Sequence, residues 1–182
     1  NIFIAIFSRT PWLFLTVIGG IIAAYIITSY SSLFESTHFS LALSLSFVPL
    51  LMGLGGNVGN QSATIIVRSL AIGTLKNTAP IKHIFRETLI GLIIGLILSS
   101  VIFLFNYSFT SNSLIFSGIV SLSLASNICF AAFIGSSLPI IFKKCNIDPA
   151  VASAPFISTT LDITGQLIYF ALTLYFLNTF AV

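Results

Sequence analysis

Long apolar stretches separated by short polar segments make up most of this chain. Positions 10–34, 36–67 and 88–142 contain no charged residue, and Asp162 is the only charge in positions 149–182. A membrane-spanning helix needs about 20 consecutive apolar residues. The pattern therefore predicts five spanning helices, at about 11–30, 41–66, 85–105, 114–142 and 149–179, with a polar run at 106–113 dividing the third stretch.

The composition agrees with a membrane protein and excludes several other classes. Hydrophobic residues make up 57% of the chain and charged residues only 6%, whereas soluble domains carry roughly a quarter of their residues as charges. The 18 Phe alone outnumber the seven Lys and Arg and four Asp and Glu together, so a basic surface for nucleic acid is not predicted. Cys129 and Cys145 show no paired spacing, which argues against a disulfide framework. The predicted class is an all-α membrane protein.

The positive charges predict the orientation of the helices. Lys and Arg favour the cytoplasmic side of short loops, and all seven fall before the first predicted helix, between the second and third, or between the fourth and fifth: Arg9, Arg68, Lys76, Lys82, Arg86, Lys143 and Lys144. This places the N-terminus in the cytoplasm and the C-terminus outside, in a multi-pass protein of the cell (inner) membrane. The chain starts at Asn1 in mid-pattern, so we expect it to be the membrane part of a longer protein.

Asp162 is the single charge in the interior of a predicted span, since Arg86 and Glu87 lie at the very start of the third. A carboxylate in hydrocarbon is costly and normally faces the bundle interior or water. Small or polar residues lie near it at helical spacing: Pro155, Ser158, Thr159, Gly165, Gln166 and Tyr169. Pro155 has no N–H, so the carbonyl of Val151 lacks its helical donor and a kink is predicted. That carbonyl then either binds a ligand or accepts a hydrogen bond from a neighbouring Ser or Thr hydroxyl. The alternative for Asp162 is a structural carboxylate bonded to another helix.

The second predicted helix carries a glycine-rich and amide-rich segment, PLLMGLGGNVGNQSATIIVR. Its glycines are Gly53, Gly55, Gly56 and Gly59, and its polar residues include Asn57, Asn60, Gln61 and Thr64. Small residues four apart favour close helix packing, an interpretation that suits Gly55 with Gly59 and Gly91 with Gly95. The amides exceed what packing needs, and amide and carbonyl oxygens are suitable ligands for a divalent cation.

Two further acids lie near the predicted cytoplasmic face. Asp148 precedes Pro149, a pattern typical of a helix N-cap, and Glu87 follows Arg86, where a surface ion pair is the simpler interpretation. If they meet in space, they could form a second cation site. No hydrolase, protease or nucleotide-binding motif is present, so we do not predict an enzyme.

Three segments resemble the membrane domain of the MgtE magnesium transporters and their eukaryotic solute-carrier homologues. They are PLLMGLGGNVGNQSATIIVRSLAIG, RETLIG and DPAVASAPFISTTLDITGQLIYF. The resemblance covers nearly the whole chain and implies residues 11–182 as the five-helix membrane domain and residues 1–10 as the end of a cytoplasmic linking helix. The family's soluble N-terminal and CBS domains have no counterpart in this sequence. One departure is Ala154, where the family more usually has Gly.

The resemblance implies a homodimer in the lipid bilayer, with one cation pathway on the two-fold axis between the second and fifth helices. Asp162 resembles the pore carboxylate that holds hydrated Mg²⁺, the transported ion. Asn60, Thr64 and Val151 match positions near the cytoplasmic gate of the family. Positions near its ion site are matched by Gly53, Ser158 and Gly165. The acids of its inner cation site are matched by Glu87 and Asp148.

The function this implies is passage of hydrated divalent cations into the cytoplasm down the electrochemical gradient. Hard oxygen ligands do not by themselves separate Mg²⁺ from other divalent cations. An alternative is a proton-coupled transporter of another solute that uses Asp162 as the titrating group. A structural membrane subunit, with the polar residues joining helices, is a third interpretation.

Overall fold

The computed structural model describes residues 2–34, 41–74, 79–109 and 114–180, and these residues form six helices. The helices are α1 (Ile2–Phe34), α2 (Leu41–Ser46), α3 (Val48–Ile72), α4 (Pro80–Phe109), α5 (Leu114–Lys144) and α6 (Pro149–Phe180). The all-helical class predicted from the sequence is therefore confirmed for this part of the chain.

Three of the described helices are long and apolar enough to cross a membrane. These segments are Leu13–Ser31, Pro80–Ser108 and Leu114–Lys144. They belong to α1, α4 and α5. The predicted count of five spans also requires α3 and α6, the two helices that contain Asp162 and the amides and hydroxyls predicted as site residues.

The second predicted helix is divided into α2 and α3 at Phe47. Phe47 is the N-cap of α3, and Pro49 occupies the first turn, where its missing N–H costs no helical hydrogen bond. At the break the carbonyl of Ser44 accepts the Phe47 N–H at 3.4 Å, three residues on, and it also accepts a hydrogen bond from the Tyr169 hydroxyl at 2.9 Å. A hydrogen bond between α2 and α6 therefore supports the chain where the helix is interrupted.

Two residues with positive φ end α3 and α5. Gly73 (φ 80°) caps α3, and its N–H donates to the carbonyls of Leu70 and Ser69. Asn146 (φ 58°) follows α5, and Gly and Asn are the residues that most readily adopt this left-handed conformation. The chain then turns at once into α6, where the Ala150 N–H donates to Asp148 Oδ1 at 2.9 Å. The N-cap predicted for Asp148 is confirmed.

Helix α5 lies at the centre of the bundle, between α4 on one side and α3 and α6 on the other. The main core joins α3, α5 and α6 through Leu51, Leu124, Ile128 and Phe170, all of which are fully or almost fully buried. The outward faces of α1 and α4 expose many large apolar side chains, among them Phe14, Ile21, Leu96 and Phe105. This is the surface expected of helices in contact with lipid.

Candidate functional site

Helices α3 and α6 run antiparallel and are joined by polar contacts at two levels. Asn60 Nδ2 donates to Ser158 Oγ at 3.3 Å, and Gln166 Nε2 lies 3.3 Å from the Met52 sulfur. Asp162 lies midway between Ser158 and Gln166, and Gly56 lies midway between Asn60 and Met52. The register therefore places Gly56 at the level of Asp162.

The backbone of α3 is open beside this level. A Cβ added at Gly53 or Gly56 would meet no heavy atom of the described residues within 4 Å. Asp162 itself is half-buried, so its carboxylate is not sealed inside the protomer. At this level the two helices therefore present a half-buried acid and a backbone without side chains.

A polar face continues along α3 toward its C-terminal end. Asn57, Gln61, Thr64 and Arg68 are exposed, and Asn60 is half-buried. Thr64 Oγ1 donates back to the Asn60 carbonyl at 2.8 Å, so this hydroxyl stays close to the helix. These residues recur every three or four positions, which places them on one side of the helix.

Two grooves follow this polar face. One of about 350 Å³ lies between α3 and the first turns of α6, and its lining residues are Asn60, Ala63, Thr64, Val67, Arg68, Ala71, Ala150 and Ala154. The other, of about 530 Å³, lies along α3 itself and is lined by Asn57, Asn60, Gln61, Thr64 and Ile65. Small side chains on α6 keep the first groove open.

The remaining predicted site residues lie elsewhere in the protomer. Glu87 is buried on α4, Asp148 is exposed, and α4 and α6 lie on different sides of α5. In the described part of the chain, no three His, Cys, Asp or Glu side chains form a cluster suited to a metal ion.

Thr159 is buried on the side of α6 that meets Gly19 of α1. Pro155 is half-buried and does not end α6, whereas the side chain of Val151 lies outside the described residues.

The model of the MgtE family, described as a divalent cation transporter, matches residues 48–172 of this chain. This chain belongs to the MgtE family. The match includes α3, α4 and α5 and most of α6. It therefore covers the polar face, which lies on α3, and Asp162, which lies on α6. The resemblance noted in the sequence is thus confirmed.

Three MgtE magnesium transporters from bacteria are similar to this chain. The protein of Thermus thermophilus is 34% identical over 162 residues, which cover 89% of this chain and 35% of that protein. The Bacillus subtilis protein is 32% identical over 97% of this chain and 38% of its own length. The Enterococcus faecalis protein is 32% identical, with coverages of 95% and 37%. The chain therefore spans slightly more than a third of the length of these relatives.

Membership of the MgtE family, together with the long apolar helices, identifies a multi-pass membrane protein. The relatives are named as transporters, and the family is not a catalytic one.

Asn60 and Ser158, both predicted site residues, are brought together by a hydrogen bond between residues 98 positions apart.

Sequence reasoning missed Asn127, which is fully buried in the middle of α5 and contacts both α3 and α6. The available signal was an amide inside a long apolar helix, because such a group needs a partner at membrane depth. The packing interpretation of Gly55, Gly59, Gly91 and Gly95 is confirmed, since an added Cβ at each would press against a neighbouring helix.

Proposed function

We propose that this chain is the membrane domain of a Mg²⁺ transporter that passes the hydrated ion into the cytoplasm. In this proposal α1, α3, α4, α5 and α6 all cross the membrane, the start of α1 is cytoplasmic and the end of α6 is outside. Residues 2–10 form the inner end of a linking helix. Family membership favours divalent cation transport over proton-coupled transport of another solute.

The observation that carries the proposal is the exposed polar face of α3. In a bilayer, amide groups that face lipid lose their hydrogen bonds to water at a cost of several kcal/mol each. Asn57, Gln61 and Thr64 are all exposed in the single protomer, so in the membrane this face must meet water or another protein chain. A two-fold axis beside α3 and α6 would supply both, with a water-filled pathway enclosed by two copies.

The charge of Asp162 also supports a dimer. One carboxylate offers a single negative charge to a divalent ion, whereas two copies related by a two-fold axis offer two. Mg²⁺ dehydrates reluctantly and usually keeps several waters. Asp162 would therefore accept hydrogen bonds from those waters, and the open space at Gly53 and Gly56 would accommodate them.

The other candidate residues have roles on the cytoplasmic side in this proposal. Asn60, Thr64 and Val151 line the gate, and Glu87 and Asp148, from different sides of α5, each add negative charge near the inner mouth, where a second cation would bind. Pro155, Ser158, Thr159 and Gly165 shape α6 around the acid. Inward movement of a divalent ion across 100 mV releases about 4.6 kcal/mol, twice the value for a single charge, so no ATP is required.

Mg²⁺ entry into proteoliposomes that contain the purified chain tests this function. Asp162→Asn keeps the size of the side chain and removes its charge, so we expect most of the selectivity for Mg²⁺ over K⁺ to be lost. Asp162→Glu keeps the charge and lengthens the side chain, so divalent selectivity should persist with a lower flux. Ser100→Ala, on an exposed face of α4, is the control and should behave like the parent.

Two results would contradict the proposal. If Asp162→Asn selected Mg²⁺ as well as the parent does, the carboxylate would be structural. If Mg²⁺ entered only with a proton gradient and Asp162→Asn abolished that dependence, proton coupling would be the better interpretation.

A further inference from the structure

Asn127 of α5 is completely buried, and its side chain contacts two other helices, α3 and α6. Its Nδ2 donates to the Leu51 carbonyl of α3 at 2.7 Å. A Cβ added at Gly55 would lie 2.7 Å from Nδ2, and one added at Gly165 would lie 2.9 Å from Oδ1. The amide is therefore held between a glycine of α3 and a glycine of α6.

The position of this contact relates it to Asp162. Gly165 follows Asp162 by three residues, which places it about 60° around α6 and about 4.5 Å along the helix axis. On α3, Gly55 is the neighbour of Gly56, the open residue at the level of the acid. Asn127 thus lies behind the candidate ion site, on the protein side of both helices that border it.

The chemistry of the amide indicates that it does more than fill space. Asn127 Oδ1 is buried without a hydrogen-bond donor among the described residues, and such a group costs about 1–3 kcal/mol. Leu has a similar volume and would avoid that cost. What Leu lacks is the donor that fixes α5 to the Leu51 carbonyl.

We propose that Asn127 is a positioning residue for cation passage: its amide fixes α5 to the Leu51 carbonyl of α3 while its side chain packs on Gly165 of α6, and together these contacts hold Asp162 at a fixed distance and rotation from the open glycines of α3. This inference rests on the proposed function for its transport consequence. The structural part, the alignment of α3 with α6, can be measured without transport.

The experiment compares Asn127→Leu with the parent chain in proteoliposomes. We expect the half-saturating Mg²⁺ concentration to rise about tenfold or more, in the range typical for residues that orient metal-binding groups, and the Mg²⁺ to K⁺ flux ratio to fall. Ser123→Ala is the matched control, because Ser123 lies one turn earlier on α5, is fully buried, and has a hydroxyl without a hydrogen-bond partner among the described residues. It should match the parent in both quantities.

A second measurement reports the helix alignment directly. Asn60→Cys and Ser158→Cys replace two side chains in contact across α3 and α6, in a background with Cys129→Ser and Cys145→Ser. Disulfide formation between the introduced residues should be slower with Asn127→Leu and unchanged with Ser123→Ala. If the parent passes no Mg²⁺ but this difference appears, the proposed function fails while the positioning role stands.

Unchanged Mg²⁺ affinity, selectivity and cross-linking in Asn127→Leu would overturn the inference. If that variant does not fold, Asn127→Asp provides the readout, since it keeps the size and one acceptor and alters the donor. A folded Asp variant with parental affinity and selectivity would also refute the role. Failure of both variants to fold would make Asn127 a residue for general stability, which equally overturns a specific positioning role.

Discussion

The glycines of α3 have two different environments within seven residues. Gly55 and Gly59 face neighbouring helices, where Asn127 and Leu161 occupy the space a Cβ would need. Gly53 and Gly56 face open space. The first pair allows close packing, and the second pair keeps the backbone clear beside Asp162. The sequence indicated close packing for one pair, but spacing alone could not show which glycines faced outward.

Gly56→Ala separates stability from transport. Because Gly in a helix interior costs about 0.5–1 kcal/mol relative to Ala and no atom blocks a Cβ here, the variant should melt at the same temperature or higher. In the proposed dimer, the added methyl groups from two protomers would narrow the proposed pathway, so Mg²⁺ flux should fall severalfold. Gly20→Ala on α1, also with open space, should gain stability without losing flux. Parental flux in Gly56→Ala would exclude this face of α3 from the pathway.

At the scale of elements, α3 and α5 cross at a pair of glycines, Gly59 and Gly135. A Cβ at Gly135 would overlap the backbone of Gly59, and one at Gly59 would overlap Leu161. Backbone atoms cannot move aside as a flexible side chain can. Glycine at position 135 is therefore a condition for the crossing of α3 over α5, whereas a Cβ at Gly59 would meet chiefly the flexible Leu161 side chain of α6.

Gly135→Ala should destabilise the protein by about 1–3 kcal/mol or more, the usual cost of overpacking a core. Gly118→Ala is the control on the same helix, because its added Cβ meets nothing within 4 Å. Thermal unfolding in detergent measures both variants. Equal melting temperatures for the two would show that α3 and α5 can separate without cost.

Local signals were readable from the sequence, whereas contacts between distant segments were not. The Asp148–Pro149 pair predicted an N-cap that the structure contains, because a cap depends on neighbouring residues only. The break at Phe47 was missed, since it is compensated by Tyr169, which is 125 positions from Ser44. The partners of Asn127 were missed for the same reason: apolar periodicity shows that a helix is buried, not which glycines lie opposite its amide.

At the scale of the whole molecule, the native cysteines test the orientation. Cys145 is exposed just after α5, and Cys129 is half-buried. A maleimide that cannot cross membranes should label Cys145 only from the cytoplasmic side, and Cys145→Ser should remove that signal. Ser108→Cys, exposed near the far end of α4, should react only from outside in a background with Cys129→Ser and Cys145→Ser. Labelling of both positions from one face would contradict the positive-inside orientation.

Helix α1 packs chiefly on α6, where Gly19 meets Thr159 and Tyr30 stacks on Phe170 with ring centroids 5.0 Å apart. Because α6 is the main neighbour of α1, a force applied along α1 reaches the rest of the bundle chiefly through α6. Thr159 precedes Asp162 by less than one helical turn, so a tilt or slide of α1 is transmitted to the acid over about 4.5 Å of helix. A displacement of α1 would therefore move the Asp162 carboxylate before it disturbs α4 or α5.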